Sequence, residues 1–238
     1  MQLEKKGKSD MGNESMTNES LTRYKLAIFD LDGTILNTLE DLTDSTNHAL
    51  ESYDLPTRSI DEVRRFVGNG IRLLIERAVP AGTAEPIKDE VFAEFKAYYK
   101  EHSAVKTKPY DGIAELFAEL RTSGCLVAVL SNKADFAVQD LCKDYFPGLI
   151  DYAAGEKEGI RRKPAPDAVL AILEKYQVAP EDAVYIGDSE VDVETAVNAG
   201  VSGISVTWGF RSKEWLAEHG AINSADSVDE LKNLLFRM

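Results

Sequence analysis

Short apolar runs alternate with amphipathic segments along most of the chain. The apolar runs predict strands at 25–30, 126–131, 183–188 and 203–208, with a weaker candidate at 149–155. Each clear run is nearly continuously apolar, which is typical of parallel strands covered by helices on both faces. Two of the intervening segments space their apolar residues three and four apart, as amphipathic helices do; they are 112–124 and 165–178. The pattern predicts an α/β core built on a doubly wound, mostly parallel sheet.

A long stretch without a strand pattern separates the first two predicted strands. Residues 38–108 contain several helical patterns, one beginning near Thr38 and another near Pro86. We expect Thr38 to cap the first of these helices, with Asp41 three residues on as in a capping box. A normal connection between a strand and a helix takes roughly 2–6 residues, so this stretch predicts an α-helical cap domain inserted into the core.

The other residues divide into a leader and the core itself. Residues 1–20 are polar and lack periodicity, and we interpret them as a disordered leader or a cloning remnant. The predicted core then comprises 21–37 and 109–238.

Composition and charge limit the kinds of molecule and surface that this protein is expected to bind. The 238 residues carry a formal net charge of −14, which argues against a nucleic-acid partner because such proteins usually present a basic face. No apolar run approaches the roughly 20 residues needed to cross a bilayer, so no membrane partner is expected. Cys125 and Cys142 show neither CxxC spacing nor a Cys/His cluster. That favours buried reduced thiols and a cytoplasmic location.

Polar residues stand where the first predicted strand ends, in the order Asp30-Leu31-Asp32-Gly33-Thr34. Ligands of open α/β sheets bind outside the carboxyl ends of the strands. Two carboxylates one residue apart can place one at a reacting atom and the other where it shuttles a proton. The alternative is a β-hairpin, since Asp-Gly between apolar runs is a strong turn signal.

Two further clusters offer hydrogen-bond donors to an anion. Ser131 and Asn132 close the second clear strand, where a hydroxyl and an amide can donate, although a helix cap or turn is the alternative. Lys163 lies in an extended loop between Arg162 and Pro164, and the alternative for it is a solvated surface lysine.

The last cluster is acidic. Asp188 ends a predicted strand and Asp192 follows four residues later, a spacing that suits a hard cation with oxygen ligands. The alternative is acidic capping of the following helix, where negative charge is favourable.

Taken together and in order, these four clusters resemble the motifs of the haloacid dehalogenase superfamily of phosphohydrolases, over residues 24–208. Within that superfamily the chain looks most like phosphoglycolate phosphatases with a helical cap. The supporting segments are FVGNG (66–70), KPYDGI (108–113) and VTWGFR (206–211). FVGNG alone is equally typical of a turn between two helices.

The resemblance implies a role for each clustered residue. Asp30 would be the nucleophile that becomes an acyl phosphate, and Asp32 would first donate and then accept a proton. Mg²⁺ would be held by Asp30, the Asp32 carbonyl and Asp188, with support from Asp192. The phosphoryl oxygens would be held by Ser131, Asn132 and Lys163. The cap would contact the substrate through Asn69, Gly70 and Arg72.

The implied function is Mg²⁺-dependent hydrolysis of a small phosphomonoester, with phosphoglycolate favoured. A pyrophosphatase or a sugar phosphomutase of the same superfamily stays open, as does a catalytically silent module that binds a phosphorylated ligand. A dehalogenase is disfavoured because it has no leaving alkoxide for Asp32 to protonate. A phosphonatase is disfavoured because no suitable cap lysine stands near FVGNG.

Overall fold

The computed structural model describes residues 22–236. Six strands form one parallel sheet in the order β5-β4-β1-β6-β7-β8, and β2 and β3 form a separate antiparallel ribbon. The strands are β1 (Leu26–Phe29), β2 (Leu36–Asn37), β3 (Lys108–Pro109), β4 (Leu126–Ala134), β5 (Tyr152–Glu156), β6 (Ala183–Gly187), β7 (Ser202–Val206) and β8 (Ser224–Ala225). The predicted doubly wound α/β core is confirmed.

Helices cover both faces of the sheet. The α-helices of residues 22–236, including those outside the sheet, are α1 (Leu39–Glu51), α2 (Ile60–Phe66), α3 (Ile71–Ala78), α4 (Glu85–His102), α5 (Ile113–Thr122), α6 (Asp135–Tyr145), α7 (Asp167–Tyr176), α8 (Glu190–Ala199), α9 (Lys213–Glu218) and α10 (Val228–Leu235). Apolar residues of α5, α6 and α10 pack on one face, and those of α7 and α8 pack on the other.

The central strand β1 shows why the apolar runs form strands here. Its residues alternate between the two faces: Ala27 and Phe29 join the cluster beneath α5 and α6, while Leu26 and Ile28 join the one beneath α7 and α8. All four are completely buried, as a continuously apolar strand in a covered parallel sheet should be. A β-hairpin at Asp32-Gly33 is therefore wrong, because β1 pairs in parallel with β4 and β6.

Helices α1 to α4 lie within the segment predicted to be the cap and supply most of a second apolar cluster, whose completely buried members include Leu50, Ile75 and Phe95; Ala137 of α6 also joins it. The chain enters and leaves this region through the β2–β3 ribbon, in which Leu36 pairs with Pro109. Among residues 22–236, no helix has the length and apolar character needed to cross a membrane.

The predicted capping box at the start of α1 is wrong. Thr38 occupies the N-cap position but makes no capping hydrogen bond; its hydroxyl donates to Asp32 Oδ1 at 2.6 Å. The Asp41 carboxylate accepts instead from the backbone N–H groups of Lys106 and Thr107, at 2.8 to 3.0 Å. Both side chains bind partners outside the helix, so they tie α1 to Asp32 after β1 and to the residues directly before β3.

Candidate active site

Strand register brings the predicted clusters to one edge of the sheet. Phe29 lies opposite Val129 on one side and Ile186 on the other, so the residues that follow these three positions in the chain converge. A cleft of about 550 Å³, part of it open to solvent, separates this edge from the cap. The core side of the cleft is lined by Asp30, Asp32, Ser131, Asn132, Lys133, Asp188, Ser189, Phe210 and Arg211, and the cap side by Leu42, Val67, Gly68, Gly70, Ile71 and Leu74.

Lys163 is buried behind Asp30, which lines this cleft, and is held there by three partners. Its Nζ lies 2.9 Å from Asp30 Oδ1, 2.8 Å from Asp192 Oδ1 and 2.9 Å from Tyr185 Oη, and Tyr185 in turn donates to the Leu130 carbonyl. Burial alone lowers the pKa of Lys163, but Asp192 and Asp30 raise that pKa well above its ordinary value of 10.5. The lysine is therefore a buried, permanently charged group beside Asp30, and the solvated alternative is wrong.

Asp30, Asp188 and Asp192 form a buried carboxylate cluster in which one oxygen from each lies within 4.8 Å of the others. Burial raises the pKa of Asp30 to about 7, with Lys163 opposing the shift. Burial, together with Asp192 and Asp30, raises the pKa of Asp188 well above its ordinary value of 3.8. Crowded like charges in a desolvated site favour the protonated forms, and a bound cation reverses that preference.

The donors of this cluster fit a hard divalent cation such as Mg²⁺, because all of them are carboxylate oxygens. Asp30 Oδ1 is buried without a hydrogen bond of acceptable geometry, although Lys163 Nζ lies 2.9 Å away as an ion-pair partner. Asp188 is oriented by Thr34 Oγ1 at 3.1 Å and by the Phe210 N–H at 2.7 Å. Each of these two aspartates keeps oxygen lone pairs available to a metal.

The Asp192 carboxylate accepts more hydrogen bonds than the carboxylates of Asp30 and Asp188. Its Oδ1 accepts from Lys163, and its Oδ2 accepts from the backbone N–H and the hydroxyl of Ser189, at 3.1 and 2.6 Å. Asp192 therefore closes a capping box at the start of α8 and also fixes Lys163, so the acidic-capping interpretation holds alongside the cluster.

Gly33 makes room for the acidic cluster. Its φ is +81°, in the region that favours glycine, and a Cβ there would lie 2.3 Å from Asp188 Oδ2. A side chain at this position would displace the carboxylate, so the glycine after Asp32 is required by packing as well as by the turn.

Asp32 is positioned by a lysine that the sequence patterns did not single out. Lys133 Nζ lies 2.9 and 3.2 Å from the two oxygens of Asp32, and Thr38 donates to the same carboxylate. The ammonium of Lys133 also lies 4.7 Å from the ring centre of Tyr99, a buried residue of the cap helix α4. Lys133 directly follows Ser131 and Asn132, and that position was the sequence feature that could have identified it. Tyr99 and Tyr185 lie in apolar patterns typical of a protein core, so the sequence did not distinguish them.

The structure changes the expected role of Asn132. Its Nδ2 donates to the carbonyls of Gly68 and Lys163 at 3.2 and 3.1 Å, and its Oδ1 accepts from the Lys163 N–H at 2.9 Å. Both amide hydrogens therefore have protein partners, which leaves no side-chain donor for a phosphoryl oxygen. Ser131 Oγ accepts from the Lys133 N–H, and its hydroxyl hydrogen remains available at the cleft. Neither residue caps α6, because β4 continues through Ala134.

Of the three expected cap contacts, Gly70 lines the cleft and two do not. Asn69 Oδ1 accepts from Arg77 within the cap. The Arg72 guanidinium is occupied by carboxylates of the cap, because the first turn of α3 directs it toward α4. These partners are Glu76 at 2.7 Å, Glu85 at 3.2 Å and Asp89. In this arrangement Arg72 does not line the cleft, and its contact with a substrate stays a prediction.

The sequence of this chain matches a known family of enzymes. The family model described as haloacid dehalogenase-like hydrolase matches residues 27–206. The chain therefore belongs to the haloacid dehalogenase-like hydrolase family.

Relatives within that family are named phosphatases. Phosphoglycolate phosphatase 1 of Pseudomonas aeruginosa is 31% identical, covering 87% of this chain and 78% of that protein. A crystal structure from Lactobacillus delbrueckii subsp. bulgaricus, provisionally described as a phosphoglycolate phosphatase, matches with a TM-score of 0.85 at 38% identity, covering 89% and 98% of the two chains. CbbY of Rhodobacter sphaeroides, solved with xylulose-1,5-bisphosphate, matches with a TM-score of 0.72 at 26% identity, covering 87% and 96%. Family and relatives together support a phosphoric monoester hydrolase.

Proposed function

We propose that this hydrolase is a Mg²⁺-dependent phosphatase that acts on a small phosphomonoester through an aspartyl-phosphate intermediate at Asp30. The observation that carries the proposal is the position of Asp30 at the floor of the cleft. Its carboxylate lies 2.9 Å from the buried ammonium of Lys163 and within the oxygen cluster that includes Asp188. A nucleophilic carboxylate, a fixed cation and a hard-metal site are the parts that phosphoryl transfer through a covalent intermediate requires.

In the first step a carboxylate oxygen of Asp30 attacks phosphorus, and the bond from phosphorus to the leaving alkoxide breaks. Asp32 transfers its proton to that alkoxide, which leaves as an alcohol. Lys163 and the hydroxyl of Ser131 stabilise the charge on the phosphoryl oxygens. A Mg²⁺ ion held by Asp30, the Asp32 carbonyl and Asp188 would supply further positive charge to those oxygens when bound.

In the second step Asp32 accepts a proton from water, and the water oxygen attacks phosphorus. The bond from phosphorus to the Asp30 oxygen breaks, which releases inorganic phosphate and restores the carboxylate. Asp192 takes part by holding Lys163 in place, at 2.8 Å from its ammonium.

Replacing Lys133 by Met should lower kcat by roughly a hundredfold, because Asp32 would lose the ammonium that orients it for proton transfer. The loss should be larger for an alkyl phosphate than for p-nitrophenyl phosphate, whose leaving group needs no proton. The matched control is Lys106→Met, which removes an exposed lysine paired with Asp44. Steady-state kinetics on both substrates measures the difference, and an equal loss on both would assign Lys133 a purely structural role.

For the substrate, we propose phosphoglycolate. The cap helices lie over a partly enclosed cleft, which suits a compact molecule better than a phosphoprotein. Relatives at 31% identity bear the name phosphoglycolate phosphatase. A carboxylate on the substrate would face the two cationic side chains that line the cleft beside the site, Lys133 and Arg211.

The test is a comparison of kcat/KM for phosphoglycolate, xylulose-1,5-bisphosphate, hexose phosphates, nucleotides and pyrophosphate. Phosphoglycolate should be preferred. A preference of more than tenfold for another compound, equal to about 1.4 kcal/mol in transition-state binding, would overturn this substrate while leaving a phosphatase in place. The sugar bisphosphate belongs in the panel because CbbY was solved with that ligand.

The remaining candidates give separate outcomes in the same panel. A pyrophosphatase would release phosphate fastest from pyrophosphate, and a phosphomutase would isomerise a hexose phosphate. A silent binding module would bind a phosphorylated ligand without releasing phosphate.

A cytoplasmic location stays a prediction, supported by Cys125 and Cys142, which are buried free thiols.

A further inference from the structure

Residues 66–70 comprise the last residue of α2 and the connection to α3, and their backbone carbonyls face side chains of both the cap and the core. We call these residues the latch segment. Each of its first four carbonyls accepts a hydrogen bond from an arginine or asparagine side chain. The pairs are Phe66 with Arg77, Val67 with Arg211, Gly68 with Asn132 and Asn69 with Arg162.

Three of these four donors belong to the core. Arg211 donates through Nη2 to Val67 O at 2.8 Å and through Nη1 to Arg64 O at 2.9 Å. Asn132 donates to Gly68 O at 3.2 Å, and Arg162 donates to Asn69 O at 3.3 Å. They come from three separate places in the core: the loop after β7, the end of β4 and the loop before α7. Their convergence on one short stretch of cap backbone depends on the position of the whole cap.

Each core donor is tied to a residue of the proposed catalytic site. Asn132 exchanges two hydrogen bonds with the backbone of Lys163, and Arg162 directly precedes Lys163. Arg211 directly follows Phe210, whose N–H donates to Asp188 Oδ2 at 2.7 Å. The groups that hold the cap are therefore rigidly connected to the groups that would hold phosphate and metal.

Arg211 and the latch segment are both preorganised for this contact. Glu190 accepts from Arg211 Nε at 3.0 Å and also from the Trp215 indole, which fixes the guanidinium. On the cap side, Arg77 holds the segment through Phe66 O and Asn69 Oδ1. Gly68 has a φ of +121°, a conformation that lets the chain turn its carbonyls outward between two helices.

We propose that Asn132, Arg162 and Arg211 are positioning residues that lock the cap over the cleft by binding the carbonyls of the latch segment. Closing the cap completes their hydrogen bonds, so these bonds fix the position of the closed cap relative to Lys163 and Asp188. The kinetic consequence rests on the proposed function, whereas the conformational consequence does not.

The conformational test measures the distance between cap and core. Spin labels are placed through Ala97→Cys on α4 and Ala171→Cys on α7, two exposed alanines, in a chain whose native cysteines are buried. Arg162→Met, Arg211→Met and the double variant should each lengthen or broaden the distance distribution, the double variant most. The matched control, Arg161→Met, removes an exposed arginine of the same loop that pairs with Asp167 instead of the cap. Its distribution should match the parent.

Arg211 is partly buried, so Arg211→Lys is included in case Arg211→Met does not fold. A lysine keeps the charge but cannot bridge two carbonyls in the fork geometry of a guanidinium, so this variant should also loosen the cap. Distributions identical to the parent in Arg162→Met and in the folded Arg211 variant would overturn the latch.

Kinetics then separates the latch from the proposed function. Arg162→Met lies outside the cleft lining, yet kcat/KM for a small phosphomonoester should fall about tenfold, with a smaller loss for a bulky aryl phosphate that already holds the cap open. Loosened distances without any phosphatase activity in the parent would support the latch and overturn the proposed function. Distances that are unchanged in the variants, together with normal phosphatase activity in the parent, would overturn the latch and support the proposed function.

Discussion

Replacing Asp30 by Asn should lower kcat by roughly 10⁴-fold or more, because an uncharged amide cannot attack phosphorus to form the acyl phosphate. The change is nearly isosteric, and Asp30 is 8% exposed at the end of β1. Phosphate release from phosphoglycolate and from an aryl phosphate measures the loss. A variant that keeps more than roughly one per cent of the parental rate would exclude the covalent route through Asp30.

Folding controls make this result specific. Burial raises the pKa of Asp30 to about 7, so the neutral amide relieves a desolvated, crowded carboxylate. The thermal midpoint of Asp30→Asn without metal should therefore equal or exceed that of the parent near pH 8. Asp182→Asn, which changes a half-exposed carboxylate paired with Lys25, should retain full activity. A large fall in the midpoint of Asp30→Asn would mean that the lost activity reports unfolding.

Removing divalent metal should abolish turnover, and adding Mg²⁺ should restore it. The cluster of Asp30 and Asp188 offers only oxygen donors, which Mg²⁺ binds with strict octahedral geometry. Ca²⁺ should inhibit, because its larger and looser coordination shell would misplace the attacking oxygen of Asp30. Full activity after exhaustive chelation would contradict a metal role.

The same site predicts how Mg²⁺ stabilises the fold at different pH values. The pKa of Asp30 in the folded, metal-free protein is about 7, above its ordinary value of 3.8. The folded protein therefore holds an extra proton between these values, and the associated stability is present at low pH and lost as pH rises through about 7. A bound Mg²⁺ would replace that proton, so its stabilising effect should increase as pH rises.

Thermal unfolding with and without millimolar Mg²⁺, at about pH 5 and about pH 8, measures this dependence. The increase in midpoint should be larger at the higher pH, and Asp188→Asn should remove most of it. Asp167→Asn provides the matched control, since Asp167 pairs with the surface residue Arg161. A Mg²⁺ effect that is independent of pH would place the ion away from Asp30 and Asp188.

The fold was predictable because its strands are covered on both faces. A run such as Leu26–Phe29 must be apolar at every position when each face packs against helices, so the pattern is readable without knowing the partners. The short strand β8 and the β2–β3 ribbon left no such pattern, since two-residue strands carry too few positions to show one. The helical cap was suggested by the length of its insertion.

The convergence of the polar clusters was also predictable. Parallel strands end at one edge of the sheet, so the residues at or just beyond the carboxyl ends of β1, β4 and β6 must meet there whatever their side chains do. That reasoning brings Asp30, Ser131 and Asp188 together. It says nothing about which atoms bind one another.

Side-chain partners from distant parts of the chain decided the rest. Thr38 and Asp41 follow the local rules for a helix cap, yet tertiary partners claim both. Asn132 looked like a phosphate donor, but its amide is held by Gly68 and Lys163, which lie 64 and 31 residues away in the chain. Sequence patterns report burial and local geometry, because those depend on each residue and its near neighbours. Hydrogen-bond partnership depends on which backbones the folded core and cap bring within about 3 Å, and that is set only when the chain has packed.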